Sequence, residues 1–166
     1  MSDKNPKKIA VDIRGMSPLL AVFDMPTSIA FYCEVLGFEI ISSSGRPPQF
    51  SWALLRLNEV GLMLNTAYEE DERPPAPDPF RVASHADTTI YFGCPEIDAV
   101  YTQLRAQGID VKEPKIAYYG MKQLYVTDPD GYLLCFQWPA SEATNDQWRN
   151  WFGFDPRDVK DIPPIG

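Results

Sequence analysis

Gln123-Leu-Tyr-Val-Thr-Asp-Pro-Asp-Gly-Tyr-Leu-Leu-Cys-Phe-Gln137 sets two apolar, strand-forming runs on either side of Asp128-Pro129-Asp130-Gly131. Pro129 presets φ for the first corner of a turn, both aspartates are placed to bond neighbouring backbone N–H groups, and Gly131 supplies the position that needs φ > 0. The stretch reads as a β-hairpin. Outward from it, one succession of elements occurs twice.

In the first half, Ser17–Phe23 is a short apolar run ending at Asp24, and Thr27 or Ser28 is placed to cap a following helix. Ile29, Tyr32, Cys33 and Leu36 fall on one face of that helix, and Gly37 terminates it. Phe38–Ile41 restarts as a strand and Ser42–Pro48 is a loop. Gln49–Leu57 and Val60–Leu64 read as strands around the tight turn Asn58-Glu59. In the second half, Thr88–Cys94 is a strand, Ile97, Val100, Tyr101 and Leu104 mark a helix, and Gly108 ends it. Ile109–Val111 reads as the next strand and Ile116–Gly120 as the loop before the hairpin. The helix-ending glycines are 71 residues apart (108 minus 37). This internal repeat predicts an α+β fold of two βαβββ modules, pairing into a curved, partly open mixed sheet around a cavity.

The chain then divides, as one domain overall, into an amino-terminal arm (1–14), a first module (15–66), a Pro-rich linker (67–87), a second module (88–138) and a carboxy-terminal helical tail (139–166). In the arm, Ile9, Val11 and Ile13 alternate as in a short extra strand. Pro74, Pro75, Pro77 and Pro79 argue against helix in the linker, which reads as a connector or flap. Ser141–Phe154 reads as a short capped helix with Trp148, Trp151 and Phe152 on one side, ahead of a Pro-rich end.

Composition bounds the function. With 166 residues, 45% hydrophobic and 23% charged, the chain is an ordinary soluble globular one. A net charge of −8 disfavours nucleic acid and anionic membrane as partners. No apolar run approaches the roughly 20 residues of a membrane span and no signal-peptide core follows the first residues, so a cytoplasmic protein is expected. Cys33, Cys94 and Cys135 lie far apart in apolar runs and read as buried free thiols. His85 is the single histidine and reads as a solvated loop residue. No Gly-x-Ser-x-Gly motif or Cys–His pair suggests nucleophilic catalysis.

Three segments, Asp24-Met-Pro-Thr-Ser-Ile-Ala-Phe-Tyr-Cys-Glu-Val-Leu-Gly-Phe38, Ile97-Asp-Ala-Val-Tyr101 and Asp128-Pro-Asp-Gly-Tyr132, together resemble the vicinal oxygen chelate superfamily of glyoxalases, extradiol dioxygenases and bleomycin resistance proteins. The resemblance covers about Gly15–Trp138. Enzymes of that superfamily bind a divalent metal through His, Glu or Gln from the first and last strand of each module. Laid on that pattern, the ligand positions fall at Ser17, Met63, Thr89 and Cys135, with the same offset of 72 in both pairs (89 minus 17, 135 minus 63). Two hydroxyls, a thioether and a thiol are not the ligands of catalytic zinc, nickel, iron or manganese.

The resemblance therefore implies the metal-free, bleomycin-resistance-like branch, with no metal, no cofactor and no catalytic residue, and leans away from an enzyme. In that branch a proline at the place of Pro18 accompanies exchange of the first strand between two subunits, so a homodimer is expected. The implied function is metal-independent binding of a small molecule, an antibiotic or other aromatic compound that is sequestered. Among aromatics that could wall such a site (also Tyr118 and Trp138), Trp52, Tyr91, Tyr125, Phe50 and Tyr119 are the ligand-binding candidates, stacking on a flat ligand in acidic surroundings. The rival readings are a metal-dependent lyase or dioxygenase with a non-standard site, and a module that senses a ligand for a partner protein.

Overall fold

The structure, a computed structural model, describes residues 15–46, 50–69 and 71–146. The first module runs β1 (Leu19–Val22), α1 (Met25–Ile29, continued by a π-helical Ala30–Val35), β2 (Glu39–Ser43), β3 (Trp52–Leu57) and β4 (Val60–Thr66). After α2 (Pro79–His85), the second runs β5 (Thr89–Gly93), α3 (Ile97–Ala106), β6 (Lys115–Ile116), β7 (Met121–Thr127) and β8 (Leu133–Pro139). Each module builds its own four-stranded sheet, ordered β1-β4-β3-β2 and β5-β8-β7-β6. The sheets are mixed, with the first strand of each module parallel to the last and the other pairs antiparallel. An offset of 72 carries the register pair Leu19/Met63 onto Tyr91/Cys135 (91 minus 19, 135 minus 63). The repeat read from the sequence is thus present strand by strand, and both Gly37 and Gly108 take positive φ, +84 and +79.

Period-two alternation decides which face of each sheet is buried. Ala53, Leu55, Leu62 and Leu64 in the first sheet, and Leu124, Val126, Leu134 and Phe136 in the second, join one shared core with Tyr32 and Leu104 of the helices. Aromatic contacts tie the modules: Phe38 meets Phe92 at 6.2 Å between ring centroids, and Phe92 stacks on Phe136 at 5.4 Å. The opposite faces, carrying Trp52, Leu54, Met63 and Asn65 in one sheet and Tyr91, Gln123, Tyr125 and Cys135 in the other, point away from the core. The sheets do not close into a barrel.

The hairpin turn does more than reverse the chain. Asp128 Oδ1 accepts from the backbone N–H groups of Asp130 (2.9 Å) and Tyr132 (2.8 Å), as the turn chemistry requires. Its other oxygen accepts from the Tyr32 hydroxyl of the first module at 2.8 Å. Asp130 reaches across as well, accepting from the Phe23 N–H at 2.7 Å and from Ser28 Oγ at 3.2 Å. Both carboxylates are nearly inaccessible, 4% and 2% exposed. Burial of this kind is tolerated because almost every oxygen has a donor. Burial pushes the Asp128 carboxyl above its ordinary range, and the hydrogen bonds only partly offset this.

Some elements differ from the sequence expectations. Asp24, not Thr27 or Ser28, caps α1, accepting from Thr27 N at 3.0 Å. The helix then widens into π geometry, with Leu36 N–H bonded to Phe31 O, so that adjacent Phe31 and Tyr32 are both buried. Ile109–Val111 is not a strand, and β6 comprises only Lys115–Ile116. The Pro-rich linker contains α2, which begins on Pro79 itself: Asp78 caps it by accepting from Phe80 N at 3.0 Å. Proline at the first helical position is compatible with helix because its missing N–H would have no partner there. His85 is correspondingly no solvated loop residue: its ring stacks on Tyr132 at 4.0 Å and 8°, and Nδ1 donates to Asp130 O at 2.7 Å. The arm 1–14 and Trp148, Trp151 and Phe152 of the tail lie outside the described residues.

Candidate functional site

Strand parity, not local sequence, brings the candidate site together. Tyr91 on β5 and Cys135 on β8 are register partners, as are Cys135 and Tyr125 on β7, so three side chains line up across the open face of the second sheet. Tyr119, from the loop ahead of β7, joins them through Gln123: Gln123 Nε2 donates to Tyr119 Oη at 2.7 Å and to Gln137 Oε1 at 2.9 Å. Tyr125 Oη donates to Gln123 Oε1 at 3.2 Å. Tyr91, Tyr119 and Tyr125 remain 51%, 42% and 41% exposed, whereas the two glutamines beneath them are buried.

Burial raises the Tyr125 phenol above its ordinary range, with hydrogen bonding to Tyr91 and Cys135 adding to the shift. Tyr119 is also raised by burial, against a lowering hydrogen bond from Gln123. Burial likewise raises the Cys135 thiol. Burial thus favours the uncharged forms of the Tyr119 and Tyr125 phenols and the Cys135 thiol, which lie beside two neutral amides. Beside it opens a hollow of about 520 Å³ lined by Gln123, Tyr125, Thr127 and residues 110–113 and 115–117 of the segment that carries β6. Its charged walls, Asp110 and Glu113 against Lys112 and Lys115, balance each other. The acidic surroundings expected for a cationic ligand are not found there.

The other two sequence candidates sit on the first module. Trp52 is half-buried on the open face of that sheet, opposite Asn65. Phe50 is 8% exposed and belongs to the core. It lines a separate hollow of about 480 Å³ with Phe23, Tyr68 and Arg73, where Arg73 pairs with Asp24 at 2.7 Å and lies 5.8 Å from the centre of the Phe23 ring. The structure thus gathers Tyr91, Tyr119 and Tyr125 and leaves Phe50 and Trp52 elsewhere. Of the other aromatics named from sequence, Tyr118 is fully exposed and edge-on to Tyr119 at 5.1 Å, and Trp138 packs against the core.

Gln123 and Gln137 were not among the sequence candidates, although they bound the hairpin stretch at its two ends. They face each other across β7 and β8. The available signal was a pair of amides inside otherwise apolar strands, at positions that the hairpin brings opposite one another.

Of the four residues that the sequence resemblance laid on the family's metal pattern, the Ser17 hydroxyl donates to Gly61 O at 3.2 Å, Met63 and Thr89 are half-buried and Cys135 is buried. Among the described residues no three His, Cys, Asp or Glu side chains are grouped so as to hold a metal ion. A donor set without imidazole or carboxylate does not fit a hard catalytic cation. Also among the described residues, all three cysteines are free and no helix is long and apolar enough to cross a membrane.

Several solved structures share the fold. A bleomycin resistance determinant encoded on transposon Tn5 is 22% identical, with a TM-score of 0.58 over 78% of this chain and 100% of that one. A bleomycin-binding protein complexed with bleomycin is 22% identical, with a TM-score of 0.56 over 75% and 98%. TnmS3, an antibiotic binding protein from a Streptomyces species, is 20% identical, with a TM-score of 0.57 over 78% and 99%. No curated protein matches the sequence. Residues 16–136 match the family model, and the chain belongs to the Glyoxalase/Bleomycin resistance protein/Dioxygenase superfamily.

Proposed function

We propose that this protein binds and sequesters a flat small molecule, without a metal, on the tyrosine face of its second sheet. The observation that carries the reading is a row of side chains across the open face: Cys135, which the sequence resemblance lays on a metal-ligand position, lies between Tyr91 and Tyr125 on neighbouring strands. Exposed rings on rigid strands offer area at small entropic cost, and each well-placed ring contributes about 0.5–1.5 kcal/mol beyond its area burial. The fold shared with proteins that bind bleomycin and another antibiotic supports the ligand class.

We further infer a homodimer, because β1 and β5 are sheet edges and Leu19 on β1 and Met16 just ahead of it are exposed, 54% and 92%. Free thiols suit a reducing cytoplasm. The binding site is tested by calorimetric titration of the wild type, Tyr91→Ala and Tyr125→Ala with flat aromatic compounds, metal-free bleomycin among them. At least one compound should bind the wild type, and each substitution should weaken it by several-fold. Binding untouched by either substitution would remove the tyrosine face from the site.

A further inference from the structure

The hydrogen-bond inventory of the tyrosine face identifies the class of ligand, and the argument rests on the binding reading above. Gln123 is fully committed as a donor: its two N–H groups go to Tyr119 and Gln137. Its carbonyl accepts from Tyr125 at 3.2 Å, and the same phenol also engages Tyr91 and Cys135, so Tyr125 has no donor to spare. Tyr119 receives a proton from Gln123 and still holds its own, and its ring is steadied by the edge-on contact with Tyr118 at 5.1 Å and 89°. Gln137 accepts through Oε1, so both N–H groups of its amide are left.

Nothing among the described residues accepts from Gln137 Nε2 or from the Tyr119 hydroxyl. The backbone around Gln137 is fixed, since its carbonyl takes the Cys94 N–H at 3.0 Å and it is 8% exposed. Tyr119 Oη and Gln137 Oε1 both accept from Gln123 Nε2, so the Tyr119 hydroxyl and the Gln137 amide that carry the unused donors are neighbours, and a single molecule spans them. Neither donor is sealed from solvent, and a ligand seated on this face would displace water from both, so it has to replace those hydrogen bonds or lose affinity. The partner has to be an acceptor, because phenols and amides are supplied here without a carboxylate among them.

We propose that the site selects a flat, uncharged aromatic molecule carrying hydrogen-bond acceptors, such as carbonyl or ether oxygens, along one edge, and discriminates against a flat cation. The rings of Tyr91 and Tyr125 provide the stacking walls. Tyr119 and Gln137 donate to the acceptor edge. The balanced lysines and acids of the neighbouring hollow give a cation no preference.

The test compares three flat tricyclic probes on the full chain by equilibrium dialysis: xanthone, which is neutral and turns a carbonyl oxygen with two acceptor lone pairs to one edge; carbazole, which is neutral and offers one N–H donor; and 9-aminoacridine, a cation at pH 7. Xanthone should bind about tenfold tighter than either of the others, as one or two added hydrogen bonds imply. Tyr119→Phe and Gln137→Leu should each erode that preference, weakening xanthone more than carbazole. Should Gln137→Leu fold poorly, Tyr119→Phe, which keeps the ring, carries the test alone. Carbazole or 9-aminoacridine binding as tightly as xanthone, with Tyr91→Ala still weakening it, overturns the acceptor class and leaves the flat-ligand site standing. No binding by any probe, or binding indifferent to Tyr91→Ala, removes the site and this inference with it.

Discussion

Asp128 illustrates what a single residue contributes here. As part of a turn motif it needs only local backbone partners, yet in the fold one of its oxygens is given to Tyr32 of the other module. Tyr32 is fully buried, so Tyr32→Phe leaves that oxygen without its donor and should destabilise the protein by about 1–3 kcal/mol in urea unfolding. A loss near zero would mean that the bond contributes nothing to module pairing. The raised carboxyl of Asp128 also has a pH signature. A folded-state value above the unfolded one means stability that is complete below the ordinary carboxylate range and declines as pH rises through the folded value. Thermal unfolding of the wild type and Asp128→Asn should therefore show the wild type gaining on the variant as pH is lowered from neutral toward that range. A gap moving the other way would contradict the burial argument. The turn itself was legible from Asp-Pro-Asp-Gly, because its chemistry is local. Its two long-range partners were not, since nothing in the sequence near Asp128 encodes Tyr32 or Phe23.

Among the elements, α2 was hidden by its prolines. Counting Pro74, Pro75, Pro77 and Pro79 against helix missed that Asp78-Pro79 is itself a helix start, with a capping side chain followed by a residue that needs no hydrogen-bond partner. The short helix packs His85 and Arg81 against the hairpin turn, His85 donating to Asp130 O at 2.7 Å and Arg81 pairing with the Asp130 carboxylate at 3.8 Å, while Arg81 also donates to Ala21 O of β1 at 2.7 Å. Asp78→Ala should cost about 1 kcal/mol through loss of the cap. Gly131 faces this helix with φ +91, and a Cβ there would collide with the Val82 carbonyl oxygen. Gly131→Ala should thus destabilise by at least about 1–2 kcal/mol, from the left-handed backbone alone. Both are read by thermal or urea unfolding, and a neutral Gly131→Ala would show that α2 does not press on the turn. Strands were more legible than this helix, because alternation in Trp52–Leu57 and Met121–Thr127 is imposed by the core they face. The two-residue β6 faces no core and left no such pattern.

At the scale of the whole molecule, the repeat was legible because the helix-ending glycines Gly37 and Gly108 and the strands around them recur at a nearly constant offset, and the family match over residues 16–136 follows the same span. The site was only partly legible. Parity placed Tyr91 and Tyr125 on an open face, but the buried amides joining Tyr125 with Tyr119 emerge only when β7 and β8 are in register. Light scattering at micromolar concentration should give the mass of a dimer, and a monomer mass would count against the edge-strand argument.

The central claim, binding without metal, is tested most directly by one calorimetric titration performed twice with the same flat ligand, on untreated protein and on protein stripped with EDTA. The account predicts the same affinity in both, with elemental analysis showing no stoichiometric zinc, nickel, iron or manganese in the untreated sample. Binding that disappears on stripping and returns with one of those metals would contradict it and favour a metal-dependent lyase or dioxygenase.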